Sequence, residues 1–316
     1  MGLVSSILAI TIRAGTSLIY ATIGEILTER SGILNLGIEG IMLMGAVSGF
    51  AVSYYTGSLA LALIAAMAVG AAMAAVHAAL TVTMRANQVV SGLSLTLFGT
   101  GFASFLGQRL GPGSNNFRLV GLKAAKFLPV KLEFLADIPI LGAIFNQDIL
   151  TYAVYLLIPA AWFYLYRTRP GLWLRAIGED PHTADAMGID VIKSKYLYTI
   201  AGGALVALGG AHLSLSYTPG WAENLTGGRG WIVVALVIFS MWNPARSLWG
   251  ALLFGGINAV QFRLQASGTN IPAPFLNMLP YLGTIVVLVV ITWWEALSKK
   301  IGAPAALGVA YMREDK

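Results

Sequence analysis

Long apolar stretches, separated by short polar connections, follow one another along nearly the whole chain. The stretch from Leu59 to Met84 contains no charged residue, and about 20 helical residues suffice to cross a hydrocarbon core of roughly 30 Å. The pattern therefore predicts an all-α fold, a polytopic transmembrane helical bundle that forms a single domain over residues 1–316. We predict nine spans, at residues 5–27, 33–55, 59–83, 88–108, 148–166, 196–217, 229–242, 247–264 and 279–297.

Small residues mark two of these spans. Segment 59–76 is dominated by Ala, Gly and Met, and small residues let helix backbones approach closely where lipid offers no hydrophobic drive. We therefore predict that this segment is an interior, tightly packed helix. Gly45 and Gly49 form a small-xxx-small pair in the second span, for which we favour packing within the chain over a dimer contact.

Composition supports the membrane assignment. Hydrophobic residues make up 57% of the chain and the mean hydropathy is +0.74, far above what the core of a soluble domain needs. The chain has no cysteine, which excludes disulfides and thiol chemistry. The net charge of +6 is typical of the basic cytoplasmic loops of membrane proteins, so we expect membrane lipid and no nucleic acid as a partner.

The lysines and arginines favour one orientation of the bundle. An odd number of spans puts the two termini on opposite sides, and the positive-inside rule favours a charged segment at about 168–195 in the cytoplasm. The N-terminus is then outside, the C-terminus is inside, and the loop at about 109–147 is periplasmic. That loop weakens the assignment because it carries five basic residues, Arg109, Arg118, Lys123, Lys126 and Lys131.

Polar residues inside the apolar spans are candidates for a solute path. A helix that starts near Ile33 would place Asn35 and Glu39 on one face, with Glu39 more than a turn inside the span. Burying that carboxylate costs roughly 2.5–3.5 kcal/mol, so it should face protein, a partner or water. Hydrogen bonding between neighbouring helices is the alternative use of such residues. The candidates for the path are Asn35, Glu39, Asn87, Gln88, Ser91, Asn258 and Gln261.

No constellation of residues predicts enzyme chemistry. His77, His182 and His212 are isolated, without an HExxH motif or a carboxylate at ligand spacing, so we expect neither a metal site nor catalytic residues. A phosphate-binding GxxxxGK[ST] loop is also absent from the sequence. If nucleotide energy drives the protein, another chain binds the nucleotide, and this chain holds no cofactor of its own.

One charged island interrupts the apolar chain between the fifth and the sixth predicted spans. Residues 169–190 have the pattern of a short amphipathic helix flanked by turns. Gly178 and Pro181 interrupt the helix at its start and Gly188 ends it, while Asp180 or Thr183 could cap it. A short rigid helix outside the membrane could transmit the movement of a partner protein to the spans. The alternative interpretation of residues 169–190 is an ordinary solvated loop.

Five strings of residues, in order along nearly the whole chain, carry a resemblance to a known family. They are SGILNLGIEGIMLMGA from Ser31, RANQVVSGLSL from Arg85, LADIPILGAIFNQ from Leu135, RPGLWLRAIGEDPHTADAMGI from Arg169 and ENLTGGRGWIVVALVIF from Glu223. These strings resemble the inner-membrane permeases of nucleoside and simple-sugar ABC importers, which are related to the ribose and branched-chain amino acid permeases. The resemblance implies a second permease subunit, often a different chain, two cytoplasmic ATPases that bind ATP and magnesium, and a periplasmic or lipoprotein substrate-binding protein.

The same resemblance implies a role for the charged island. The string Ala184-Asp185-Ala186-Met187-Gly188 stands where such importers carry the coupling helix that docks into a groove of the ATPase, although a strict Glu-Ala-Ala is lacking here. The residues expected to couple this chain to the ATPase are Gly178, Glu179, Asp180, Ala184, Asp185, Ala186 and Gly188.

We therefore expect a permease subunit in the bacterial inner membrane, with no enzymatic activity of its own. It would pass a small polar solute, first of all a nucleoside, into the cytoplasm by alternating access. A simple sugar or riboflavin is the alternative solute. A stand-alone secondary transporter or channel is the alternative class of protein, and the missing catalytic residues disfavour an intramembrane enzyme.

Overall fold

Helices make up most of the fold, as the apolar pattern predicts. The computed structural model describes residues 3–112, 118–131, 138, 140–268, 272–298 and 302–313. Two short strands, β1 (Val130–Lys131) and β2 (Asn146–Gln147), pair antiparallel between the fourth and fifth helices. The helices are α1 (Leu3–Arg30), α2 (Ile38–Thr56), α3 (Leu59–Ala78), α4 (Gln88–Arg109), α5 (Ile149–Arg167), α6 (Arg169–Glu179), α7 (Pro181–Ala186), α8 (Val191–His212), α9 (Arg229–Phe239), α10 (Pro244–Ala266), α11 (Ala273–Asn277) and α12 (Leu279–Ser298).

Each predicted span coincides with a helix. Among the described residues, six helices are long and apolar enough to cross a membrane, namely α1 to α5 and α8, where α3 and α8 each continue into a π-helical turn. The last three predicted spans coincide with α9, α10 and α12. The multi-pass membrane character is therefore confirmed, whereas the count of nine spans and the orientation stay predictions. Lys299 and Lys300, which the predicted orientation places in the cytoplasm, lie outside the described residues.

The second helix begins later than predicted. Residues 33–37 are not helical and α2 starts at Ile38. Asn35 causes this locally, because its side-chain oxygen accepts a hydrogen bond from the backbone N–H of Gly37 at 2.8 Å, and such a local bond competes with helix formation. The prediction that a helix starting near residue 33 stacks Asn35 and Glu39 on one face is therefore wrong.

The core of the bundle is a close-packed set of helices in which α8 contacts α1, α2 and α3. A Cβ atom added at Gly210 of α8 would lie 1.9 Å from the backbone oxygen of Met42, and one added at Gly45 would lie 2.2 Å from that of Ala207. Real Cβ atoms do not approach so closely, so glycine is required at both positions. The predicted packing role of Gly45 within the chain is confirmed.

Helix α3 packs on one side only. Ala62, Ala66 and Ala74 are fully buried, whereas Leu61 and Ile64 are at least half exposed. Small residues predominate on the face that packs on α2 and α8, whereas Leu61 and Ile64 point away from the bundle. The prediction of an interior helix is therefore wrong for α3 as a whole, although it holds for its alanine and glycine face.

The charged island forms two short helices where one was predicted. Helix α6 buries Leu174 and Ile177, and α7 follows after a break at Asp180. The aspartate caps α7, since its side chain accepts hydrogen bonds from the backbone N–H groups of His182 and Thr183. Gly178 lies inside α6 and does not interrupt it. Gly188, in the left-handed region with φ +84°, follows the end of α7 as predicted.

Candidate functional site

A cavity of about 700 Å³ lies where the start of α2 meets α4, α9, α10 and α12. Its wall combines charged, amide, hydroxyl and aromatic side chains with the backbone of the loop before α9. This volume lies within the range of small-molecule sites in proteins. The lining residues are Glu39, Thr96, Leu97, Thr100, Asn224, Leu225, Thr226, Gly227, Gly228, Arg229, Trp231, Ile232, Asn258, Gln261, Phe262, Pro280 and Tyr281.

Glu39 joins the start of α2 to the loop before α9. One oxygen of its buried carboxylate accepts hydrogen bonds from the hydroxyl of Thr226 at 2.5 Å and from the N–H of Gly228 at 2.9 Å. The other oxygen accepts from the N–H of Gly230 at 2.6 Å. Hydrogen bonds to a charged group are the stronger kind. A Cβ at Gly230 would lie 2.4 Å from the backbone nitrogen of Glu39, so this glycine lets the two segments meet.

Arg229 and Tyr281 hold the same loop from other sides. The guanidinium of Arg229 donates to the backbone oxygen of Ala14 at 3.2 Å and lies over the ring of Tyr217, 5.0 Å from its centre. The hydroxyl of Tyr281 donates to the backbone oxygen of Gly227 at 2.8 Å. The loop is thereby fixed against α1, α2 and α12, and its conformation gives the cavity its shape.

Three of the seven predicted path residues line this cavity. They are Glu39 and, one turn apart on α10, Asn258 and Gln261. The side-chain amide of Asn258 donates to the backbone oxygen of Phe254 at 2.9 Å within its own helix. These three residues come from the second and the eighth predicted spans, which the sequence alone could not place side by side.

The other four predicted path residues lie away from the cavity wall. Asn35 forms the turn before α2, and Asn87 caps α4 by accepting from the N–H of Val90. The side-chain oxygen of Gln88 accepts from the N–H of Leu34 at 2.7 Å, and the hydroxyl of Ser91 is 2.9 Å from a ring nitrogen of His77. These four side chains make hydrogen bonds within the protein, either locally or to a neighbouring segment, which is close to the alternative use predicted for such residues.

Sequence reasoning missed several residues of the cavity wall. Thr226, Arg229 and Trp231 belong to a string that carries the family resemblance, but they are not among the predicted path residues. The repeated glycines of Gly227-Gly228-Arg229-Gly230 were the available signal, because glycines next to an arginine suggest a tight loop with a close backbone approach. Aromatic residues of the wall, such as Tyr281, gave no signal, because a ring in an apolar span is ordinarily packing.

The seven residues predicted for coupling lie together around α7. Ala184 and Gly178 are buried, whereas Glu179, Asp180, Ala186 and Gly188 are exposed. Hydrogen bonds from the Thr183 side chain and backbone hold the pKa of Asp180 below its ordinary value. The carboxylate of Asp185 is 3.2 Å from the guanidinium of Arg313. The exposed side of this region is a mixed polar surface at one end of the bundle.

No group of three or more histidine, aspartate or glutamate side chains that could hold a metal occurs in the described part of the chain. His212 lies 3.6 Å from Asp148, inside the bundle. The two ring nitrogens of His77 are within hydrogen-bond distance of the Ser91 hydroxyl and of the backbone oxygen of Leu34. The ring of His182 lies next to that of Tyr311. The three histidines therefore lie in three different places and do not form a cluster.

Comparison with known proteins places this arrangement in a family. The permease component of branched-chain amino acid transport systems, as a family, matches residues 6–292. A Haloferax volcanii ABC transporter permease provisionally assigned to glucose is 41% identical, with 99% of each chain covered. A guanosine ABC transporter permease of Bacillus subtilis is 30% identical, with 98% of each chain covered. A nucleoside ABC transporter permease of Lactococcus lactis is 34% identical, with 94% of each chain covered.

A solved structure of an inward-facing ABC transporter, provisionally of metal-chelate type, covers 90% of this chain and 85% of its own at 17% identity, with a TM-score of 0.45. The family match extends over nearly all of the described helices, including those that form the cavity and the charged island. The chain therefore belongs to the family of branched-chain amino acid transport system permease components, the membrane subunits of ABC transporters.

Proposed function

We propose that this permease passes nucleosides into the cytoplasm. The cavity at Glu39 is the observation that carries the proposal. It combines the aromatic side chains of Trp231, Phe262 and Tyr281 with the amides of Asn258 and Gln261. Rings stack on nucleobases, and carboxamides form paired hydrogen bonds with base edges. A wall with both kinds of group suits a solute that has an aromatic base and a polar sugar.

The coupling to ATP hydrolysis is proposed to occur at α7, away from the cavity. Helix α7 is exposed and rigidly capped at Asp180, and it carries Asp185 at the position that the family resemblance assigns to the coupling helix. A cytoplasmic ATPase, which binds ATP and magnesium, would dock there and drive alternating access of the cavity. A second permease subunit would complete the path and a substrate-binding protein would deliver the solute from outside. In this arrangement the N-terminus lies outside and α7 lies in the cytoplasm.

A simple sugar is the second candidate solute. The relative that is 41% identical is provisionally assigned to glucose, whereas the relatives named for guanosine and nucleosides are 30% and 34% identical. Threonine hydroxyls and amides of the cavity would also bond a sugar. The two solutes differ in what they require of Trp231, because only the nucleoside has a base to stack on an indole ring.

The experiment measures ATP-driven uptake in vesicles that contain the complete transporter, meaning both permease subunits, the ATPase and the binding protein. Radiolabelled guanosine, glucose and riboflavin are supplied in turn. For a nucleoside permease, Trp231→Ala lowers guanosine uptake about five-fold or more, since stacking on an aromatic ring contributes roughly 1–3 kcal/mol per base.

The matched control is Trp249→Ala, since Trp249 is 68% exposed on α10 and does not line the cavity. Uptake by this variant should equal that of the unaltered transporter. Saturable glucose uptake without guanosine uptake would replace the nucleoside by the sugar. Uptake that continues without the ATPase would contradict the importer and favour a stand-alone carrier.

A further inference from the structure

The segment of residues 302–313, which we name the strap, lies across the charged island. It follows α12 and lies beyond the part of the chain that the family matches, which ends at residue 292. Pro304 and Ala306 of the strap are buried, although the segment contains no helix or strand. The strap is therefore packed against the bundle by specific contacts, and these contacts fall on four separate elements.

The first set of contacts joins the strap to α6 and to the end of α1. The N–H of Ala306 donates to the backbone oxygen of Gly178 at 2.9 Å, and the N–H of Gly308 donates to that of Gly32 at 3.3 Å. A Cβ at Gly178 would lie 2.3 Å from the backbone oxygen of Arg30 and 3.2 Å from the Cβ of Pro304. The strap, α6 and the end of α1 thus meet backbone to backbone.

The second set of contacts joins the strap to α7 and α8. Arg313 pairs with Asp185 of α7 at 3.2 Å. The ring of Tyr311 lies 5.0 Å from the ring of His182 and 5.9 Å from the ammonium of Lys195. Lys195 is on α8 and only 1% exposed. Residues Tyr311 and Arg313 therefore contact α7 and the first turns of α8 together.

Helix α7 has little attachment of its own. It is six residues long, and its buried residues are Pro181 and Ala184. A helix held by so little apolar contact could be displaced without moving the long helices behind it. Ala184 packs with Ile177 of α6 and Val191 of α8. The strap adds a second connection, because it contacts α7 on one side and the ends of α1 and α8 on the other.

We propose that the strap is a positioning element of the coupling machinery, which clamps α7 to α1 and α8 so that the ATPase moves them as one body. This inference rests on the proposed function, because it requires that α7 receives the ATPase. The contacts assign the clamp to Tyr311 and Arg313, which lie outside the family match. A strap that only covers the surface would not change how ATP hydrolysis is converted into uptake.

The first test locks the strap to α7. The chain has no cysteine, so the double variant His182→Cys, Tyr311→Cys provides one defined pair for a short thiol-reactive cross-linker. Tyr311→Cys removes the ring that belongs to the clamp, so before cross-linking the double variant should hydrolyse more ATP per guanosine imported. Cross-linking should bring that ratio back to within about two-fold of the ratio of the unaltered transporter. Loss of uptake on cross-linking, or failure of the pair to cross-link, would overturn the proposal.

The second test loosens the strap. Arg313→Glu places two negative side chains together and should raise the ATP hydrolysed per guanosine imported by about two- to five-fold, the factor that an exposed ion pair can supply. The conservative variant Arg313→Lys keeps a positive charge next to Asp185 and should keep the normal ratio of ATP hydrolysed to guanosine imported. Arg169→Glu is the matched control, since Arg169 is exposed on α6 and does not contact the strap.

These measurements distinguish failure of the strap proposal from failure of the proposed function. Binding of the ATPase to each variant is measured by co-purification, and it should be retained. If the unaltered transporter is ATP-driven while Arg313→Glu and a Tyr311→Ala variant import guanosine at the normal ratio, the strap proposal fails and the importer stands. If uptake by the unaltered protein needs no ATPase, the proposed function fails first.

Discussion

The long helices of this bundle form two groups, the inner helices α1, α2 and α8, which are mostly buried, and the outer helices α3, α4 and α5, which are mostly exposed. In the most apolar stretches of α1, α2 and α8, 78%, 78% and 72% of the residues are buried, compared with 28%, 33% and 28% in those of α3, α4 and α5. The outer helices are nonetheless at least as apolar as the inner ones. Hydropathy alone therefore does not tell an inner helix from an outer one in a membrane, because lipid solvates apolar side chains as well as protein does.

The inner helices make close contacts over most of their surface, whereas the outer helices make them only on the face that meets the bundle, as at Gly70 of α3 and Gly99 of α4. Gly210 meets Met42 and Gly45 meets Ala207, whereas Gly101 of the outer helix α4 has no atom within 4 Å of an added Cβ. Glu39 is buried in a set of hydrogen bonds to the loop before α9. The comparison predicts that equal substitutions will have unequal effects in the two regions.

The largest difference is expected for glycine. Gly210→Leu should prevent folding, because even its Cβ would lie 1.9 Å from the backbone oxygen of Met42 and overpacking of a dense core is destabilising. Gly101→Leu should give the normal yield of monodisperse protein in detergent, measured by size-exclusion chromatography. Equal yields of the two variants would contradict the division into inner and outer helices.

A smaller difference is expected for phenylalanine. Phe50 of α2 is 1% exposed and Phe98 of α4 is 57% exposed. Phe50→Ala should lower the free energy of unfolding by about 3–5 kcal/mol through loss of contacts and the cavity that it leaves. Phe98→Ala should change it by about 0.5 kcal/mol or less. Unfolding titrations in mixed micelles measure both, and a similar loss for the two variants would show that α4 is covered.

Glu39→Gln tests how much a buried carboxylate contributes to stability, compared with an exposed one. The substitution keeps the size of the side chain but removes the charge that Thr226, Gly228 and Gly230 stabilise, so we expect a loss of about 1–3 kcal/mol. Glu223→Gln is the control, because the exposed carboxylate of Glu223 accepts a hydrogen bond from Gln108 at 2.7 Å. An unchanged unfolding transition for Glu39→Gln would mean that the loop before α9 is held by its other contacts.

The smallest effect is expected at α7, which belongs to neither region. The pKa of Asp180 is depressed by hydrogen bonds from Thr183, so its capping contribution is present above the unfolded pKa of about 3.9. It is lost as the pH falls through the lower folded pKa. Asp180→Asn keeps a capping side chain at all pH values. Hydrogen exchange of peptide 180–188 should match between the two proteins at pH 7 and be faster in the unaltered protein at low pH.

The strengths and failures of the sequence interpretation follow from the same contrast. It placed helices at all nine predicted spans, because length and hydropathy are properties of a segment by itself. It failed for α3, of which only one face is buried, and for Asn35, where a local hydrogen bond of the side chain delays the start of α2. It predicted Glu39, Asn258 and Gln261 as path residues, and these three line the cavity, but it gave no reason to prefer them to Gln88 and Ser91.

The sequence by itself determined that this protein is a helical membrane protein with a charged island, and the strings that resemble a permease family indicated its class. Those properties depend on composition, on segment length and on strings of neighbouring residues. Only the tertiary structure decided that Glu39 bonds to Thr226, 187 positions away, and that Arg313 reaches Asp185. Both contacts join segments that are remote in the chain, and their partners are fixed by how the helices pack between them.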